Sequence, residues 1–165
     1  MANHPSHPRP RAVLDTSALF STHRHWLWLF AQLGYFEGVW STFIVGELVR
    51  IRVERSISRG VERPVYRGRI NQLVHLLSDV LSIADYRSVS TAGMLADPDD
   101  DPILAAALAS RADVVVSLNR RDFPAGGGVA GVRFVSPHDF LSELVARFPG
   151  DDLTSRADEA GRRVP

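Results

Sequence analysis

Apolar residues in this chain fall into short unbroken runs that alternate with stretches where they recur every three or four positions. These are the signatures of buried strands and of amphipathic helices. Ala12-Val13-Leu14 is the first run, closed by Asp15 and then Thr16-Ser17. It predicts a buried strand over 11–15 leading into a helix N-cap, with Asp15 at the strand's carboxyl end. Leu19, Phe20, Trp26, Leu27, Leu29, Phe30 and Leu33 continue at mostly helical spacing, so one helix is expected over 18–33, stopped by Gly34. Gly38-Val39-Trp40 reads as a short strand. Ser41-Thr42 caps a helix over 43–57 that carries Ile44, Leu48 and Ile51 on one side and Glu47 within it. Pro64 restarts the chain, Ile70, Leu73, Val74 and Leu77 predict a helix over 66–79, and a brief strand follows over 80–86.

Asp97-Pro98-Asp99-Asp100-Asp101-Pro102 is a loop ending in a helix start, since proline suits the first turn and acids there complement the helix dipole. An alanine-rich helix runs over 103–110. Asp113-Val114-Val115-Val116-Ser117 is the clearest buried strand, with Leu118-Asn119-Arg120-Arg121-Asp122-Phe123 as the loop beyond it. A last strand is expected over 132–135 and a last helix over 137–148. Alternating strands and helices predict an α/β fold, a three-layer α/β/α sandwich around a short, mainly parallel sheet. Ligands bind such sheets beyond the carboxyl ends of the strands, where Asp15, Asn119 and Asp122 fall. Residues 1–10 and 149–165 are polar and lack an apolar period, so they read as flexible segments flanking one domain over 11–148.

The length of 165 residues suits one domain with a proper core. There is no cysteine, so any metal must be held by oxygen or imidazole, which favours Mg²⁺ or Mn²⁺ over structural zinc. Net charge is zero, and every basic side chain apart from histidine is arginine. The arginines cluster at Arg50, Arg52, Arg55, Arg59, Arg63, Arg67 and Arg69, a face that is either solvated, a guide for an RNA backbone, or a surface for an acidic partner. The N-terminus lacks the apolar region of a signal peptide, and the most apolar stretch, 26–33, is far shorter than the ~20 residues that span a bilayer. A cytoplasmic protein without a membrane segment is expected.

Carboxylates brought together repel one another, and a hard divalent cation relieves the repulsion while activating water against a phosphodiester. Each acid has an ordinary reading when taken alone. Asp15 is also a helix cap or a salt-bridge partner, Glu47 a solvated helix residue, and the run 97–101 a charged loop. His23 and His25 stand two apart, on different sides of a helix, and make a poor chelating pair; His4 and His7 lie in the flexible segment. Trp26, Trp28 and Trp40 read as core or dimer interface. A phosphatase using Asp15 would want a second aspartate two residues on, where Ser17 stands.

The order of the motifs adds a resemblance. Val13-Leu14-Asp15-Thr16-Ser17-Ala18-Leu19 resembles the opening of the PIN-domain nucleases, and Gly46-Glu47-Leu48-Val49 their second motif. Asp97-Pro98-Asp99-Asp100 with Ile103-Leu104-Ala105-Ala106-Ala107 resembles the third, and Ala112 through Pro124 the fourth. The likeness spans about 11–148. It implies an Mg²⁺- or Mn²⁺-dependent endoribonuclease, many members being VapC-like toxins of toxin–antitoxin pairs, often homodimeric and paired with a small antitoxin protein. It also implies Asp15 as a direct metal ligand, Glu47 as a ligand or water-positioning acid, and Asp100 as the third acid with Asp101 as its close competitor. Asp122 becomes the fourth acid, because Asn119 stands where many members carry an aspartate. Thr16 and Ser17 would cap the helix and orient Asp15, while Arg120 and Arg121 either hold phosphates or are solvated. The alternative implied by Asn119 is a catalytically weakened domain that binds RNA or a protein without cutting.

Overall fold

The computed structural model describes residues 8–119 and 128–148. Within them the chain runs β1 (Arg11–Leu14), α1 (Thr16–Leu19), α2 (Arg24–Gln32), β2 (Glu37–Ser41), α3 (Thr42–Ser58) and α4 (Arg63–Ser78). It continues through β3 (Leu81–Ala84), a 3₁₀ turn (Pro98–Asp100), α5 (Asp101–Ser110), β4 (Val114–Val116), β5 (Arg133–Val135) and α6 (Pro137–Arg147). The five strands form one parallel sheet in the order β3-β2-β1-β4-β5. Parallel strands need crossovers that cover both faces, which is why the central strands are apolar without alternation. Ala12, Val13, Leu14 and Val114 to Val116 are all buried, whereas Ser82 and Ile83 on the edge strand β3 are exposed.

From β1 the chain steps to β2 and β3 on one side, then returns to β4 and β5 on the other, so strand order reverses between β1 and β4. The return is made by α5, which packs across β1, β2, β3 and β4. Its Ala105, Ala106 and Ala107 are buried, and side chains this small let the helix lie close to the sheet. Crevices at the carboxyl edge of such a reversal are where open α/β sheets bind ligands.

Local signals place most element ends. Ser41 caps α3 by accepting from the Ile44 amide at 3.3 Å, and Ser136 caps α6 by accepting from the Asp139 amide at 3.1 Å. Gly34, at φ 74°, ends α2 in a left-handed residue; its amide donates to the Ala31 carbonyl and the Tyr35 amide to the Phe30 carbonyl, each at 2.9 Å. The Phe30 and Tyr35 rings pack across that stop, 5.2 Å apart.

Three expectations need correction. The single helix over 18–33 is two helices, interrupted at residues 20–23. The Ser21 hydroxyl donates to the Ala18 carbonyl at 2.7 Å and accepts from the His23 amide at 3.1 Å, giving the backbone a local alternative to a continuous ladder. Thr16 and Ser17 are not caps: they are the first residues of α1, and Asp15 occupies the N-cap position without a side-chain capping bond. The strand expected over 80–86 is confined to Leu81–Ala84. Of the tryptophans, Trp40 is fully buried in the core, Trp28 packs against it, and Trp26 is half exposed. Among the described residues, no helix is long and apolar enough to cross a membrane.

Candidate active-site cleft

Asp15 leaves β1 with its backbone still paired, its amide donating to the Val116 carbonyl at 3.1 Å. The residue is 5% exposed, so its carboxylate needs partners inside the protein. Both that the described residues supply converge on one oxygen: Oδ2 accepts from the Ser17 hydroxyl at 2.6 Å and from the Ser117 hydroxyl at 2.7 Å. Each hydroxyl has one hydrogen, and both hydrogens are spent on Oδ2, so the 3.1 Å approach of the two serine oxygens to each other is a contact without a proton. Their lone pairs in turn accept from backbone amides, Ser17 from Leu118 at 2.9 Å and Ser117 from Asn119 at 3.0 Å. Two amides of the loop after β4 thus polarise two hydroxyls that grip one carboxylate oxygen. Oδ1 has no hydrogen-bond partner among the described residues.

Asp15 lines a cleft of about 870 Å³ together with Ser17, Glu47, Asp99, Asp100 and Asn119. α3, launched from the Ser41 cap at the end of β2, brings Glu47 to one wall; the 3₁₀ turn and the start of α5 bring Asp99 and Asp100 to another. Asp97 stays out of the cleft as the cap of that turn, accepting from the Asp99 amide at 2.9 Å. Asp101 is not on the cleft wall either; its carbonyl accepts from the Thr91 hydroxyl at 3.1 Å. Asp122, Arg120 and Arg121 lie outside the described residues. Thr16 also lines the cleft, with its hydroxyl oxygen buried and unpartnered among the described residues.

Positive charge borders the acids. Arg50, on the cleft wall, stands 4.0 Å from the half-buried Glu47 and 2.9 Å from the exposed Glu54; its own side chain is exposed, so both pairs carry little energetic weight. The guanidinium carbons of Arg52 and Arg55 lie over the Phe20 ring, 4.8 and 4.5 Å from its centroid, so two cations share one aromatic side chain at the cleft. Burial holds the Arg52 guanidinium below the usual arginine range, and the charges of Arg24, Arg55 and Arg59 push it further the same way.

Among the described residues, no three of His, Cys, Asp and Glu gather into a ready-made metal cluster. The donor chemistry nevertheless fits a hard divalent ion, because Asp15 presents an unpartnered carboxylate oxygen and Glu47, Asp99 and Asp100 offer only oxygen. Ser117 was not singled out from the sequence. The available signal was a hydroxyl directly after the most apolar strand, the same place on β4 that Asp15 holds on β1. Asp99, expected with Asp97 to be only a loop or capping residue, lines the cleft instead; Arg50 and Arg55, read from sequence as part of an arginine face, line it too, and Phe20 joins them without having been marked for it.

A family model described as PIN domain matches residues 11–121. No curated protein matches the chain.

Proposed function

The chain belongs to the PIN domain family, whose fold is of the nuclease type, and on that premise we propose that it is a metal-dependent endoribonuclease cutting RNA phosphodiesters in the cleft. The observation that carries this reading is the held Asp15: one oxygen fixed by two hydroxyls, the other without a partner, beside a cleft walled by further carboxylates. Mg²⁺ or Mn²⁺ would be held by Asp15 and Asp100 with Glu47, and would supply Lewis acidity toward the phosphodiester and a water of lowered pKa.

The chain's own residues have separate tasks. Ser17 and Ser117 fix the plane of the Asp15 carboxylate. Glu47 would orient the attacking water and take its proton as the new P–O bond forms and the P–O3′ bond breaks; the 3′-oxygen leaves as a hydroxyl protonated from solvent, so the products are a 5′-phosphate and a 3′-hydroxyl. Arg50 and Arg55 face the substrate phosphates and offset the charge of the acidic walls. The finer reading is a cytoplasmic toxin of a type II toxin–antitoxin pair, a homodimer bound by a small antitoxin. A short upstream reading frame for a DNA-binding protein, copurifying with this chain, is the observation that supports it.

The deciding experiment incubates the full chain with labelled single-stranded RNA in Mg²⁺ or Mn²⁺, beside Asp15→Asn. Metal-dependent cleavage is expected to fall by at least about 10²-fold in the variant, since even outer-shell changes at metal sites cost 10–100-fold. RNA that is bound but uncut in either metal would instead support a second reading, a binding module, which the neutral Asn119 on the cleft wall favours.

A further inference from the structure

Beside the cleft, between α3 and α4, lies a crevice of about 240 Å³ whose walls include Arg52, Arg55, Arg59, Arg69 and Tyr66. No carboxylate lines it. Among the described residues none of these four arginines forms an ion pair, although Arg50, Arg11 and Arg133 elsewhere do. Arg52 is half-buried and its Nε is enclosed without a hydrogen-bond partner. Like charges held together without counter-charges raise the local potential, and a polyanion relieves it as a cation relieves clustered carboxylates.

We propose that this crevice is a second RNA contact, in which the arginines hold backbone phosphates of a single strand whose scissile bond lies in the neighbouring cleft. The proposal rests on the ribonuclease reading for the identity of its ligand. Two observations favour RNA over an acidic protein. Arg55 lines both the crevice and the cleft, so the two recesses adjoin at a shared cationic side chain that a single strand could meet from either side. Tyr66 adds an aromatic face within the crevice, the usual companion of arginine where unpaired bases are stacked. The Arg52 guanidinium is held below the usual arginine range first by burial and then by the charges of Arg24, Arg55 and Arg59, and the latter part agrees with such a site.

The test measures binding of a short fluorescein-labelled oligouridylate to the full chain by anisotropy across a salt series, in Ca²⁺ to slow turnover. Arg59→Gln/Arg69→Gln is compared with the unaltered protein. Losing two phosphate contacts is expected to weaken binding and to flatten the plot of log K against log salt by about 1.4, at ~0.7 per phosphate for single strands. Arg59→Lys/Arg69→Lys is expected to keep most of the slope. In the unaltered protein, labelling by an arginine-specific dicarbonyl, read by mass spectrometry, should be slowed at Arg59 and Arg69 by the oligonucleotide but not at Arg87; this readout does not depend on any variant folding. An unchanged slope, or no protection, overturns the proposal. Protection by polyglutamate and not by RNA also overturns it and makes the crevice an acidic-protein site. RNA that is cut but leaves the crevice unprotected defeats this inference alone, whereas RNA that is held there and never cut defeats the ribonuclease reading alone.

Discussion

Replacing Ser117 by alanine isolates the device that holds Asp15. The hydroxyl lies in a residue 1% exposed, donates to Asp15 Oδ2 at 2.7 Å, and accepts from the Asn119 amide at 3.0 Å. A hydrogen bond to an ionised group is worth about 1.5–3 kcal/mol, against about 1 kcal/mol between neutral partners. For a chain of this length each kcal/mol moves the thermal midpoint by about 2–4 °C, so Ser117→Ala is expected to melt about 3–12 °C lower. The origin of the loss is tested by a double-mutant cycle with Asp15→Asn, followed by calorimetry or circular dichroism. With the carboxylate neutralised, removing the same hydroxyl should cost only about 1 kcal/mol, leaving a coupling of about 0.5–2 kcal/mol. Cleavage of RNA should fall by about 10–100-fold in Ser117→Ala, the range seen when groups orienting a metal ligand are removed. Equal destabilisation in both backgrounds would refute the reasoning, because the hydroxyl would then be filling space and not steadying a charge.

Two further outcomes follow from the same geometry. Arg111, just past α5, has φ 54° and an exposed side chain, so Arg111→Gly removes a left-handed penalty of about 1 kcal/mol and should raise the midpoint by about 2–4 °C; a lower midpoint would show that the arginine stem stabilises that turn. Titrating Mn²⁺ should stabilise the protein by about 2.7 kcal/mol at a hundred times its dissociation constant, and Asp15→Asn should lose that response, while equal stabilisation of both proteins would move the ion away from Asp15.

How far the sequence could be read depended on the range of the interaction. The apolar runs ending in Asp15 and Ser117 declare two central strands, because a strand covered on both faces carries no polar alternation. Gly34, Ser41 and Pro64 mark a helix end and two starts through backbone chemistry confined to a few residues. The break at residues 20–23 was hidden, since apolar spacing continues across it and only the Ser21 hydroxyl diverts the ladder. Asp100 and Asp101 could not be told apart by spacing. One ends the 3₁₀ turn and lines the cleft while the other opens α5 away from it, a difference of one residue's direction. Ser117 was invisible for a different reason: its meaning depends on β4 lying against β1 in the register that pairs Leu14 with Val116.

That pairing also sets when in the life of the chain the cleft can exist. The two serines and the acid form one unit, yet Ser117 is 102 residues from Asp15 along the sequence. Parallel pairing at such separation is slow to form, because the loop must close before any contact rewards it. A nascent chain that has not yet released β4 therefore holds Asp15 at the end of an unpaired strand edge, with one of its two donors still unmade. The full two-serine grip on Asp15 appears only once most of the domain has been synthesised and folded, so partial chains lack it by construction.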